Sequence, residues 1–369
     1  MLKADPDVAG GRAGHLAAAI AMTDFLRRSP SSIGGQAGHK EWQHFAILAR
    51  DVDLLVNFSL CDDVRPGAEP GAETPRIVVL VRERGAASGR GGVAACGWDG
   101  DVESFRRRDA IVRGGALDLD LAHNRLRFDD AFHVDVALGD RPIRIALRLR
   151  PLTMPAFVPG IPMLDGPPLS WVVVPRLEVT GTLAIGDRDY ALDGAPAYHD
   201  HNWGHFLWGH DVAWEWGFVL PDDAAVPWCV TFVRLTNRAR TLALAHKVLV
   251  WRGADLVRVF REGEVRAETA LGYLRRPSLF KIPRALALTA PGSLADVPAW
   301  METRAVADAD RLECRSEPFD VAQVLIPSET ELGVTIFNEV AARTHVRGRI
   351  AGEAVEFSGR SIMEFIRHA

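Results

Sequence analysis

Ile143-Arg144-Ile145-Ala146-Leu147-Arg148-Leu149-Arg150 alternates an aliphatic residue with a polar or small one at every step. That period of two belongs to a strand with one face buried and one face wet. Just upstream, Phe132, Val134, Val136 and Leu138 alternate with His133, Asp135 and Ala137. Downstream, Leu177, Val179, Leu183 and Ile185 alternate with Glu178, Thr180, Thr182 and Ala184. Further β-rich runs cover Arg76–Val81, Trp228–Leu235, Leu242–Trp251, Leu256–Phe260, Leu332–Phe337 and Val355–Phe357. The 33 glycines and 22 prolines punctuate the chain and keep segments short. Helical periodicity is confined to the first thirty residues, where His15–Met22 reads as a short amphipathic helix or arm. Many short, closely spaced strands predict a β-sandwich or barrel, not βαβ units.

The chain has 369 residues, which at ~150 residues per domain predicts two domains or one large one. It carries 43 basic and 48 acidic residues, net −5, so no global basic field argues for nucleic-acid binding. No apolar run reaches the ~18 residues of a spanning helix. The N-terminal apolar stretch runs straight into Thr23-Asp-Phe-Leu-Arg-Arg28, with no basic lead-in or cleavage site of a secretory signal. Cys61, Cys96, Cys229 and Cys314 are scattered and read as free thiols in a reducing, cytoplasmic setting. The Gly85–Gly92 stretch is read as a flexible loop, since no helix signal follows it. Pro151–Pro168 is expected to close off one strand set, and the region from Pro277 to Pro298 to form a long crossing loop or lid. No dinucleotide fingerprint or P-loop is present, so no cofactor is expected.

Composition changes abruptly after Tyr198. Four of the twelve histidines fall within 199–210, and five of the ten tryptophans within 203–228. In an extended segment, Tyr198, Asp200 and Asn202 share one face, while His199, His201 and Trp203 share the other. Trp214, Trp216 and Phe218 form an apolar stripe at the same period, with Glu215 opposite. An aromatic wall edged by a short polar set has the anatomy of a small-molecule pocket.

Three stretches together, Pro175-Arg-Leu-Glu-Val-Thr-Gly-Thr-Leu183, Tyr198-His-Asp-His-Asn-Trp-Gly204 and Trp214-Glu-Trp-Gly-Phe218, resemble the signature of the hydroxyneurosporene synthase (carotenoid 1,2-hydratase) superfamily. That group includes lipocalin-like proteins and pericyclases (Diels–Alderases) of polyketide pathways. Glu41-Trp-Gln-His-Phe45 is similar to the family's early strand, departing from it at Gln43 and His44. Residues 348–364 are similar to its closing strands. The resemblance implies an all-β chain of two consecutive lipocalin-like (calycin-type) antiparallel barrels, with a short N-terminal helical arm. We place the arm at 1–35, the first barrel at 36–205 and the second at 206–369, with the motif near their seam.

Adding a proton to an unactivated alkene needs a dry, protonated carboxyl. A carboxyl among indoles is disfavoured as the anion and keeps its proton to higher pH. Asp200 is the expected acid, oriented by Asn202 with Tyr198 on the same face, and Glu215 is the second choice. His199 or His201 is expected to position or deprotonate an attacking water. Trp203, Trp208, Trp214 and Trp216 are expected to line the substrate, their faces stabilising a cation by about 0.5–2 kcal/mol each. The expected activity is hydration or cyclisation of a large, hydrophobic, isoprenoid- or polyketide-like molecule. Two alternatives stay open. A pericyclase would work by shape and a hydrogen bond from Tyr198 or Asn202, and a carrier would bind the same ligand by apolar burial alone. His199, His201, His205 and His210 offer imidazoles enough for zinc or iron, but no metal is assigned.

Overall fold

The computed structural model of the chain describes residues 6–27, 38–62, 64, 73–84, 97–164, 167–270, 274–275, 279–292 and 294–368. The Gly85–Gly92 loop, Cys96 and Arg28 lie outside these residues. Strands dominate, and the described α-helices are Pro6–Thr23 and Arg284–Ala287. No described helix is long and apolar enough to cross a membrane. The chain forms two compact units: residues 1–79, 102–160 and 169–205, and residues 80–101, 161–168 and 206–369.

In the first unit an antiparallel sheet runs through strands Val52–Asp62, His39–Leu48, Pro196–His205, Leu169–Ile185, Ile143–Pro151, Phe132–Ala137, Asn124–Phe128, Asp118–Leu121 and Ala110–Val112. Its inner face is set by the alternating strands: Phe132, Val134, Leu147 and Leu149 are buried, while Asp135, Arg144 and Ala146 are exposed. Between Val174 and Leu177 the register against Pro196–His205 shifts by one residue. Pro175 sits in this bulge, where a missing N–H breaks no ladder bond. Thr153 Oγ1 accepts the Arg176 N–H at 3.2 Å, and the Arg176 carbonyl accepts the Leu152 N–H at 2.9 Å, so the bulge leaves its backbone satisfied. The bulge returns Leu177 and Val179 to the face of Val174. A continuous inner surface then runs from Phe132 to His199.

The same strand approaches Ile143–Pro151 closely at Gly181. Its φ is +130°, and a Cβ there would lie 2.1 Å from the Ala146 carbonyl oxygen, so only glycine fits. Helix Pro6–Thr23 packs against Ile143–Pro151. It buries Leu16 and Ile20, spaced by four on one side, and Leu26 follows them into the interior. Each such side chain contributes about 1.5–3 kcal/mol. The helix thereby delivers Asp24 into the first unit.

In the second unit the sheet order is Asp255–Phe260, Ala243–Arg252, Trp228–Thr236, Ala213–Pro221, Glu353–His368, Val334–Ile350, Asp310–Pro327, Met301–Ala307 and Val265–Thr269. Val219, Val230, Phe232, Val248, Val340 and Met363 lie in its hydrophobic core. The last two strands are far longer than the apolar runs 332–337 and 355–357 predict. Their middles carry exposed Arg343 and Arg347 alternating with buried Ala342 and Val346, a pattern that apolar content alone misses. Ala351-Gly352, both at positive φ, makes the two-residue turn between them. The region expected as a crossing loop instead contributes strand Phe280–Ile282, parallel to Asp310–Pro327, and buries Ala295 and Val297 in the core. Within the Pro151–Pro168 stretch, strand Ala156–Ile161 pairs with Leu169–Ile185. Cys61, Cys229 and Cys314 are buried and take part in no disulfide.

Candidate active site

Strand Pro196–His205 lies between His39–Leu48 and Leu169–Ile185, with Phe45 opposite His199, Gln43 opposite His201 and His44 opposite Asp200. Its inner face carries His199, His201 and Trp203. His199 donates Nδ1–H to the His44 carbonyl at 2.9 Å, and its Nε2 meets Asp24 Oδ2 at 2.7 Å. His201 places Nδ1 2.9 Å from Asp24 Oδ1 and Nε2 2.9 Å from Glu41 Oε1. His39 Nε2 reaches Glu41 Oε2 at 3.3 Å, and the Arg27 N–H donates to Glu41 at 2.8 Å. The result is a buried row of alternating imidazoles and carboxylates.

Burial opposes charge on Asp24, Glu41 and His201, and pairing overrides it. Against the cost of desolvation, hydrogen bonds and attraction from Asp24 and Glu41 raise His201 to about 9. Glu41 is lowered to about 2 by His201 and His39 despite its burial. Asp24 is held well below the usual carboxylate range by His199 and His201, again against burial. His201 is therefore an imidazolium between two carboxylates. Both ring nitrogens of His199 and of His201 are taken up by protein groups, so neither is placed to handle water or a metal in this arrangement. Trp203 stacks on Phe157 at 5.8 Å under the Arg27 guanidinium, and His205 packs edge-on against His39.

The opposite face of the strand carries Tyr198, Asp200 and Asn202. Tyr198 donates its hydroxyl to Asp200 Oδ2 at 2.9 Å, and Asn202 Nδ2 donates to Oδ1 at 3.0 Å. Tyr198 is fully buried and Asp200 only 3% exposed. Cross-strand register sets Asn202 between Trp42 and Trp171, and Asp200 between His44 and Val173. His44 is lowered to about 3 by its burial and by the nearby His199, which keeps its imidazole neutral. The indoles on Asp200's own face are thus Trp42 and Trp171. Trp203, which sequence reasoning chose for this purpose, points to the other face.

In the second unit, Trp208 and Trp214 pack at 5.8 Å, with Phe206 and Phe337 edge-on to Trp208. Trp216 lies on the same strand face as Trp214, in register with Glu364. Trp214 Nε1–H donates to Glu364 Oε1 at 2.6 Å. Glu215 is on the reverse face, where Arg234 holds one oxygen at 3.0 Å and Arg367 the other at 3.1 Å. Glu215, expected as the second-choice acid, is thus held between two guanidiniums on the face away from the tryptophans. His210 accepts the Leu207 N–H at 3.3 Å. The residues that sequence reasoning missed are Asp24, His44, Trp171 and Glu364, together with the pairing role of Glu41.

No protein-family model matches the chain, and no curated protein matches it in sequence. Solved structures do. A candidate AttH from Nitrosomonas europaea matches with TM-score 0.61 at 13% identity, over 93% of this chain and 96% of that one. Kievitone hydratase from Nectria haematococca matches with TM-score 0.58 at 10% identity, over 94% and 97%. CghA with Sch210972 matches with TM-score 0.50 at 13% identity, over 89% and 88%. At these identities the likeness is one of fold. The chain shares its all-β, lipocalin-like fold with these structures.

Proposed function

We propose that the chain is an enzyme acting on a large, hydrophobic, unsaturated small molecule, with Asp200 as its acid. The observation that carries this reading is the enclosed Asp200 carboxyl, oriented by Tyr198 and Asn202 in a row framed by Trp42 and Trp171. Asp200 transfers its proton to one alkene carbon and leaves a cation on the next. The indole faces stabilise that cation, and with bulk water excluded it survives long enough to be captured. Water attack followed by proton return to the carboxylate gives hydration, and attack by a second double bond gives cyclisation. His44, neutral and opposite Asp200, is placed to orient the incoming water, whose proton returns to the Asp200 carboxylate. The buried imidazole–carboxylate row behind the strand keeps these side chains in place.

The fold likeness to a hydratase that acts on kievitone agrees with this chemistry. The test is Asp200→Asn, assayed against kievitone and an acyclic carotenoid polyene. The expected result is a loss of turnover of about 10²–10⁴-fold with ligand affinity retained. Full turnover by the variant removes Asp200 from the mechanism.

A further inference from the structure

A second carboxyl centre lies in the second unit, apart from any role assigned above. Glu339 and Glu364 are directly opposed on the neighbouring strands Val334–Ile350 and Glu353–His368. Such cross-strand pairs hold their Cβ atoms about 5 Å apart, close enough for the carboxyl groups to meet, and the two share a hydrogen bond. A hydrogen bond between two carboxyl groups requires a proton on one of them. Trp216 continues the same row on strand Ala213–Pro221, and Trp214 donates its indole N–H to Glu364. Glu339 is 6% exposed and Trp216 7%, while Glu364 keeps a partly open surface among them. Two like charges this near in a dry aromatic setting do not both ionise. Burial is the main cause that raises Glu364 to about 7, offset in part by its bonds from Trp214 and Glu339.

On this face Lys247 ends the same register row, beyond Val233, and is bonded to Glu262, while the other titratable groups stand farther along the strands. His368 is bonded to Thr335 and to the Val212 carbonyl, and its own basicity is lowered mainly by burial. Asp320 is paired with Arg82 at 2.9 Å. Arg360, opposite Arg343, lies four register pairs beyond Glu364. Glu329 accepts the Trp208 N–H at 2.8 Å.

We propose that Glu339 and Glu364 form a one-proton carboxyl pair that binds an uncharged, oxygen-bearing apolar ligand against the tryptophan wall, the proton turning from the bond between the two carboxyls to the ligand's hydroxyl or carbonyl oxygen. A carboxylate ligand is repelled by the remaining negative charge, so the pair selects alcohols and ketones over acids. The inference does not depend on Asp200.

The test uses the intact chain. Infrared difference spectra taken from about pH 5 to about pH 9 are expected to show a protonated-carboxyl C=O band that persists to neutrality. Its titration should coincide with a change in tryptophan fluorescence. In the Asp200→Asn background, which removes that residue's own carboxyl band, the band should persist, Glu364→Gln should abolish its titration near neutrality, and the Glu339→Gln Glu364→Gln double variant should show none. Geraniol and geranate, one skeleton in two charge states, serve as ligand probes by tryptophan fluorescence. Geraniol should bind at least tenfold more tightly, and Glu364→Gln should reduce that preference. Should the double variant fail to fold, the single variants and the wild-type titration still decide the matter. Equal binding of the two probes, a band that survives the double variant in the Asp200→Asn background, or no titration above the ordinary carboxyl range overturns the proposal.

Discussion

His201 and Asp24, 177 positions apart in the chain, meet through a 2.9 Å hydrogen bond with both side chains fully buried. Asp24 follows directly on the N-terminal helix, and His201 sits in the strand that carries Asp200 on its other face. The helix therefore supplies the counter-charge that fixes the orientation of the candidate site.

Removing that counter-charge exposes its role. Asp24→Ala leaves the His201 imidazolium buried with Glu41 alone and deprives His199 of its Nε2 partner. The expected loss is about 3–5 kcal/mol of folding stability, read by urea denaturation. A variant as stable as the parent shows that the row contributes nothing to the fold.

The row also makes stability depend on pH. His201 binds its proton more tightly when folded, so its contribution is complete below about 6.5 and is lost as pH rises to about 9. Glu364 works in the same direction from about 4.5 to about 7. His44 and His246, buried and neutral with values of about 3 and 4, act oppositely and remove stability as pH falls below about 6.5. Stability is expected to peak near pH 6.5. Above it the fall per unit is about 1.4 kcal/mol from His201, and His201→Gln should abolish that portion of the slope. Urea midpoints across the range measure it.

Tyr198→Phe deletes one hydrogen bond to Asp200 and little volume. We expect a stability cost of about 1 kcal/mol alongside a much larger loss of turnover. A variant that is fully active and merely less stable would reduce Tyr198 to a structural residue.

Gly181→Ala places a Cβ against the Ala146 carbonyl. The two strands must separate there, at an expected cost of at least about 2 kcal/mol. Thermal unfolding checks this, and an unchanged midpoint contradicts the close approach.

The period of two in 143–150 and its neighbours makes the strands of the first unit readable from sequence. The same alternation puts Asp200 and His201 on opposite faces of their strand. Partners are not readable in this way. Nothing local to Asp24 marks it as the counter-ion of residues 199 and 201, because only the sheet and the docked helix bring them together. Trp171 reads as one more apolar residue in a buried run, yet register sets it against Asn202. Glu364 sits between Met363 and Phe365 in a closing strand, and its proximity to Glu339 and Trp214 arises only from pairing across three strands. Glu215, by contrast, stands beside tryptophans in sequence but faces the arginines on the reverse side.

Turnover in D2O tests the assignment of Asp200 as a proton donor most directly. Kievitone and an acyclic carotenoid polyene are incubated with the protein, and the product is back-exchanged into ordinary water for mass spectrometry. One deuterium retained on carbon in each product molecule, absent with Asp200→Asn, is the expected result. Product that forms without carbon-bound deuterium means that the bonds are made pericyclically, and tight binding with no product at all means that the chain carries its ligand unchanged.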